Sequence, residues 1–161
     1  MAIKVGDRIP NASFTVMTSD GPKPKTTDEI FKGKKVVLFA VPGAFTPTCH
    51  KNHMPGFVTN FDKIKGKGID TIAVTSTHDV FVMDAWVKAT GADGKVVGLA
   101  DGSGEFAKAI GMSLDLGARG LGMRSQRYAM IVEDGVVKTL NIEDAPGKAD
   151  ISGAENLLKG L

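Results

Sequence analysis

The sequence predicts an α/β domain with a mixed central sheet flanked by helices. Three observations carry this expectation. Apolar, β-branched runs at 36–41, 69–76 and 96–100 alternate with segments of helical periodicity, the pattern of parallel strands joined by helical crossovers. Residues 127–142 then read as two strands flanking Asp134-Gly135, a strong signal for a tight antiparallel hairpin. A final amphipathic segment supplies a closing helix.

Taken in order, Thr26-Thr-Asp-Glu29 offers a capping box ahead of Ile30 and Phe31, enough for one helical turn. Residues 36–41 (Val-Val-Leu-Phe-Ala-Val) are apolar without interruption between Lys34-Lys35 and Pro42-Gly43, which reads as a strand buried on both faces. Thr46 suits an N-cap and Pro47 the first helical position, where its missing N–H costs nothing. That helix carries Phe57, Phe61 and Ile64 as a core-facing stripe, is expected to kink at Pro55, and is stopped by Gly66 and Gly68. After the strand at 69–76, Asp79 caps a helix bearing Val80, Met83 and Val87 that ends near Gly91. Following the strand at 96–100, Ser103 is expected to cap a short helix through Phe106 and Ile110, closed by Gly111.

Residues 111–127 carry four glycines (Gly111, Gly117, Gly120, Gly122) and little periodicity, and read as a surface loop long enough to line a site. Their spacing is wrong for a phosphate loop. Past the hairpin, Ser152-Gly-Ala-Glu155 offers another capping box, leading a helix with Leu157, Leu158 and Leu161. A βαβ half followed by a ββα half is the thioredoxin arrangement, and residues 1–161 read as a single domain of that kind.

Composition narrows the function. Of 161 residues, 42% are apolar and 24% charged, ordinary for a soluble globular protein. A formal net charge of +2, from 20 basic and 18 acidic residues, offers no electrostatic case for nucleic acid or a membrane surface. The longest apolar run, 36–42, is far too short to span a bilayer. The N-terminal residues show no apolar core of a secretory signal, and a single cysteine excludes an intrachain disulfide, so a cytoplasmic location is expected.

That single cysteine, Cys49, sits third in the helix begun by Pro47, among backbone N–H groups that no carbonyl satisfies. The positive end of the helix dipole favours a thiolate there, and the thiolate is the nucleophilic form. Most free cysteines are buried and inert. The polar neighbours, the strand-to-helix junction and the Thr46 hydroxyl three residues away favour a reactive thiol here. Cys49 and His53 lie at i, i+4 with His50 beside them, so a metal site is conceivable, but too few ligands accompany them. A cysteine hydrolase could recruit His53 or His78 as base, yet nothing marks an oxyanion hole or an orienting Asn or Asp. Arg127 opens an apolar strand: it is either a solvated end residue or a fixed guanidinium beside the thiolate. Arg124 competes for the second role but falls in the loop.

Pro42, Thr46 and Cys49 spell Pro-x-x-x-Thr-x-x-Cys, and the segment Val-Pro-Gly-Ala-Phe-Thr-Pro-x-Cys resembles the active-site signature of the peroxiredoxins, specifically their atypical type II (peroxiredoxin-five-like) branch. Gly6-Asp-Arg-Ile-Pro10, the 79–86 segment, the 127–137 segment and Ser152-Gly-Ala-Glu155 extend the likeness nearly end to end. The resemblance implies a thioredoxin fold and a thiol peroxidase for hydrogen peroxide and small alkyl hydroperoxides, with Cys49 oxidised to a sulfenic acid. It further implies that Thr46 binds the peroxide oxygens, that Arg127 holds the thiolate and developing charge, and that Pro42 shields the sulfur from water. No cofactor or metal is called for. Some members carry a second cysteine on the strand occupied here by Ile72-Ala-Val74, or near the C-terminus; this chain has neither. Its sulfenic acid is therefore expected to be resolved by an external thiol, glutathione with glutaredoxin or thioredoxin. By analogy the chain is a homodimer. Two other roles share the thiolate: a peroxide sensor or relay that passes oxidation to a partner with little turnover, and a non-catalytic binding module. Phe45, Phe81, Leu114 and Leu116 could accommodate an alkyl chain, although their type favours ordinary core packing.

Overall fold

The computed structural model describes residues 2–145 and 147–161. An N-terminal hairpin, β1 (Ser13–Thr18) and β2 (Gly21–Thr26), leads into α1 (Thr27–Phe31) and β3 (Lys35–Ala40). A π-helical turn (Cys49–His53) continues as α2 (Met54–Thr59) and α3 (Phe61–Lys65). Then follow β4 (Thr71–Ser76), α4 (Val80–Ala89), β5 (Val97–Ala100) and α5 (Glu105–Ala109). The small pair β6 (Ser113–Leu116) and β7 (Gly122–Ser125) precedes the hairpin β8 (Tyr128–Glu133) and β9 (Val136–Ile142), and α6 (Ala154–Leu158) closes the chain. Seven strands form one sheet in the order β2-β1-β5-β4-β3-β8-β9. β3, β4 and β5 run parallel, while β8, β9 and the N-terminal hairpin are antiparallel, so the sheet is mixed as expected.

β3 is the hub because both its faces are apolar. Val37 and Phe39 pack with Met54, Phe57, Trp86 and Leu157, from the helices on one side. Val36 and Leu38 pack with Ile30, Phe31, Phe106 and Met130 on the other. Phe39 stacks on Phe57 with ring centroids 4.0 Å apart, tying the helix after the cysteine to the sheet. The β8–β9 turn has positive φ at both Asp134 (49°) and Gly135 (78°), the type I′ geometry that the Asp-Gly pair favours.

Four expectations need correction. The hairpin 13–26 was not anticipated, since Gly-Pro-Lys-Pro-Lys-Thr is a poor strand by propensity; β2 is an edge strand pairing only with β1, where prolines are tolerated. The glycine-rich stretch 111–127 is not an irregular loop but the β6–β7 hairpin, turned by glycines at positive φ (Gly120, Gly122). Ser103 does not cap α5: the buried Asp101 carboxylate accepts from Phe106 N (3.0 Å) and Ala107 N (2.9 Å) instead. Ser152 likewise makes no capping box for α6, because its hydroxyl and N–H both donate to Glu143. The cap at Asp101 yields a prediction. Asp101→Ala should cost about 2 kcal/mol by urea denaturation, since two buried N–H groups lose their acceptor, whereas Ser103→Ala should be nearly neutral.

Candidate active site

The chain leaving β3 is pinned by β4. Val41 N donates to Thr75 O (3.1 Å) and Ser76 Oγ donates to Val41 O (2.8 Å). It then folds through a turn in which Thr46 Oγ1 donates to Gly43 O at 2.6 Å. Thr46 O accepts from His50 N (2.9 Å), so Thr46 occupies the expected N-cap position, although its hydroxyl serves the turn rather than the helix. From Cys49 the helix widens: Met54 N donates to Cys49 O, one residue further back than in an α-helix. Pro55 accounts for this, since it offers no N–H to the Lys51 carbonyl and its ring would crowd that carbonyl in a regular turn. The kink expected at Pro55 thus takes the form of a π turn that starts on the cysteine. Asn60 interrupts the helix again before α3, so the stripe Phe57, Phe61, Ile64 spans two segments.

Cys49 is fully buried (0% exposed). Burial alone would describe an inert thiol; what distinguishes this one is Arg127, 2% exposed, which sits just before β8 and donates from Nη2 to Cys49 Sγ at 2.8 Å. The solvated-end reading of Arg127 is therefore excluded. The antiparallel pairing of β8 with β3, in which Tyr128 faces Ala40, brings Arg127 to the end of β3 from which the cysteine segment departs.

Arg127 is held in turn by His53, whose Nδ1 lies 2.9 Å from Arg127 Nη1. His53 Nε2 is 2.9 Å from Ser152 O, a carbonyl that can only accept, so Nε2 carries the proton and Nδ1 accepts from the guanidinium. Burial, then the neighbouring Arg127 charge, push the His53 pKa down to about 3, so the ring is neutral. Its ring also packs against Phe39 and Phe57 (centroids 5.0 and 5.6 Å). The Ser152 carbonyl is fixed because the buried Glu143 carboxylate accepts from Asp150 N (2.9 Å), Ile151 N (2.8 Å) and Ser152 N (3.2 Å). His53, Ser152 and Glu143 were absent from the sequence-derived site. The i, i+4 spacing of Cys49 and His53 was legible, but it pointed toward a metal. Both His53 nitrogens are engaged otherwise, and among the described residues no three His, Cys, Asp or Glu side chains gather to hold an ion.

The other two histidines are also committed. His50 Nδ1 accepts from the indole N–H of Trp86 (3.1 Å), and its ring stacks near Phe45 (5.5 Å). His78 Nε2 accepts from Ala44 N at 3.0 Å. Among the described residues no imidazole is hydrogen-bonded to the sulfur, so the hydrolase base has no geometric support. Arg124 does not reach Cys49, but neither is it loosely placed: Nε donates to Leu121 O (2.6 Å) and Nη1 to Pro42 O (3.2 Å). The core-packing expectation fails for Phe45 and Phe81, which are 51% and 64% exposed, and Leu114 and Leu116 are only half-buried.

The sequence profile of the Redoxin family matches residues 4–158. Chloroplastic peroxiredoxin-2E of Arabidopsis thaliana is 46% identical over 164 residues, spanning 99% of this chain and 70% of that protein. Peroxiredoxin-2C of Oryza sativa subsp. japonica is 44% identical over 160 residues, spanning 99% and 98%. Among solved structures, reduced Prx3 of Vibrio vulnificus in complex with hydrogen peroxide superposes with a TM-score of 0.93 at 48% identity, covering 98% of each chain. The Plasmodium falciparum antioxidant protein, a 1-Cys peroxiredoxin, superposes with a TM-score of 0.88 at 30% identity, covering 96% of each chain.

Proposed function

Since this chain belongs to the Redoxin family and is a peroxiredoxin, a thiol peroxidase, we propose that it reduces hydrogen peroxide and small alkyl hydroperoxides at Cys49 and is recycled by an external thiol. The observation that carries this is the 2.8 Å approach of the buried Arg127 guanidinium to the Cys49 sulfur. A donor so placed stands where negative charge moves as the peroxide bond breaks. The thiolate attacks one peroxide oxygen; the S–O bond forms as O–O breaks, and the departing oxygen leaves as water or alcohol after taking a proton. Sulfur is oxidised by two electrons to the sulfenic acid and the peroxide is reduced by two.

Thr46 and Pro42 complete the pocket in this reading. The Thr46 hydroxyl spends its proton on Gly43 O and so keeps its lone pairs as acceptors for the peroxide O–H. The buried Pro42 keeps water from the sulfur. Because Cys49 is the only cysteine, a thiol from another molecule must attack the sulfenic acid, releasing water and forming a mixed disulfide that a second thiol reduces. Glutathione with glutaredoxin, or thioredoxin, supplies that chemistry. A homodimer would cover some of the exposed apolar side chains Phe45, Phe81 and Met123, and sedimentation or light scattering reads it directly.

The test is one equivalent of hydrogen peroxide with a sulfenic-acid trap, followed by intact mass within seconds. Stoichiometric labelling of Cys49, slowed about tenfold or more by Thr46→Val, is the expected result. A thiol that stays unlabelled, or reacts no faster than free cysteine, overturns the peroxidase reading. Steady turnover with glutathione and glutaredoxin, compared with thioredoxin, then identifies the reductant.

A further inference from the structure

We infer that His78 and Arg124 form a second arginine–histidine pair that positions the peroxide pocket, by holding the Pro42–Thr46 turn from behind through one shared acceptor, the neutral His78 Nε2. That nitrogen lies 3.0 Å from Ala44 N and 3.0 Å from Arg124 Nη1. Both neighbours are donors, so Nε2 must carry its lone pair and the ring proton must sit on Nδ1. Arg124 Nη1 also donates to Pro42 O (3.2 Å), while Nε is anchored on Leu121 O (2.6 Å). The guanidinium packs so closely on the turn that a Cβ on Gly43 would lie 3.1 Å from Nη1, and 2.9 Å from Thr46 Cγ2. His78 and Arg124 thus fix the carbonyl of Pro42, the N–H of Ala44 and, through Gly43, the acceptor of the Thr46 hydroxyl. Neither side chain touches the sulfur; they act on the groups proposed to hold the peroxide, and the inference rests on that reading of Pro42 and Thr46.

The arrangement parallels that of Arg127 and His53 at the cysteine itself. In each pair the arginine Nη1 meets a histidine nitrogen that must be unprotonated. His78 is half-buried and follows β4, so a proton can reach it more easily than the enclosed His53. The charged groups acting on it are Arg124 from β7, which opposes protonation, and Asp79 at the head of α4, which favours it; burial and Arg124 prevail, and its pKa lies below the ordinary histidine value. A proton arriving on Nε2 would set an N–H against two other N–H groups and release the turn.

The experiment measures kcat/KM for hydrogen peroxide across pH 4.5–7.5 in wild type, His78→Gln, His78→Leu and Thr46→Val, with thiolate formation followed separately by ultraviolet absorbance. Glutamine retains an acceptor near the Nε2 position but does not titrate; leucine has none. The expected result is a loss of about tenfold at neutral pH in His78→Leu with thiolate formation unchanged, and a rate recovered to within about threefold in His78→Gln. Wild type should also lose activity on acidification beyond what the thiolate titration explains, and His78→Gln should not. A His78→Leu variant within threefold of wild type, with the same pH profile, overturns the inference. So does an extra acid limb that persists in His78→Gln, which keeps the idea falsifiable if the leucine variant does not fold. A silent Thr46→Val instead removes the pocket reading on which the inference stands, so the two failures are distinguishable.

Discussion

Replacing Arg127 with alanine is expected to slow oxidation of Cys49 by hydrogen peroxide by about 10²–10³-fold, the usual cost of removing one preorganised donor from developing charge. Two effects combine. The sulfur loses the N–H donor at 2.8 Å, and the transition state loses a cation in a site where water cannot substitute. Arg127→Lys should recover little, because a lysine ammonium cannot meet Cys49 Sγ and His53 Nδ1 together with the planar fork that the guanidinium uses. Rapid-quench trapping of the sulfenic acid across a range of peroxide concentrations gives the second-order rate constant for each variant, with circular dichroism to show that each is folded. A lysine variant within threefold of wild type would mean that charge alone suffices and that the fork geometry is incidental.

Much of this was legible in the chain because local chemistry and global fold agree. Residues 36–41 could be read as a doubly buried strand since no polar residue interrupts them, and the Asp134-Gly135 turn since both its positions need positive φ. Pro42, Thr46, Cys49 and Arg127 were named from a spacing and a resemblance. Sequence reasoning failed where the partner is distant in the chain. His53 lies 74 residues from Arg127 and 99 from Ser152, and no periodicity connects them. Ser152 and Ser103 looked like helix caps because capping signals are local patterns; Asp101 caps α5 instead, and Glu143 takes the hydroxyl and N–H of Ser152, leaving α6 without a side-chain cap. The β2 strand was missed for a different reason: propensity speaks for an average strand, and an edge strand asks less of its prolines.

The neutrality of His53 should make the fold acid-sensitive. Unfolded, the ring titrates near its ordinary 6.5; folded, burial and Arg127 hold it down to about 3. Between those values the unfolded chain binds a proton that the folded chain does not, so stability rises with pH across the window and falls on acidification from about 6.5 toward 3. Each pH unit inside it is worth about 1.4 kcal/mol, so going from pH 7 to pH 5 should cost about 2 kcal/mol through this group alone, and on the order of 5 kcal/mol across the whole range. His78 acts in the same direction, since its pKa is lowered too. Urea denaturation of wild type and His53→Gln at pH 7 and pH 5 isolates the effect. Glutamine loses ring packing against Phe39 and Phe57 and so lowers stability at both pH values, but it cannot take up the proton. The wild-type loss between the two pH values should therefore exceed that of the variant by about 2 kcal/mol. Equal losses would place the acid sensitivity in other groups.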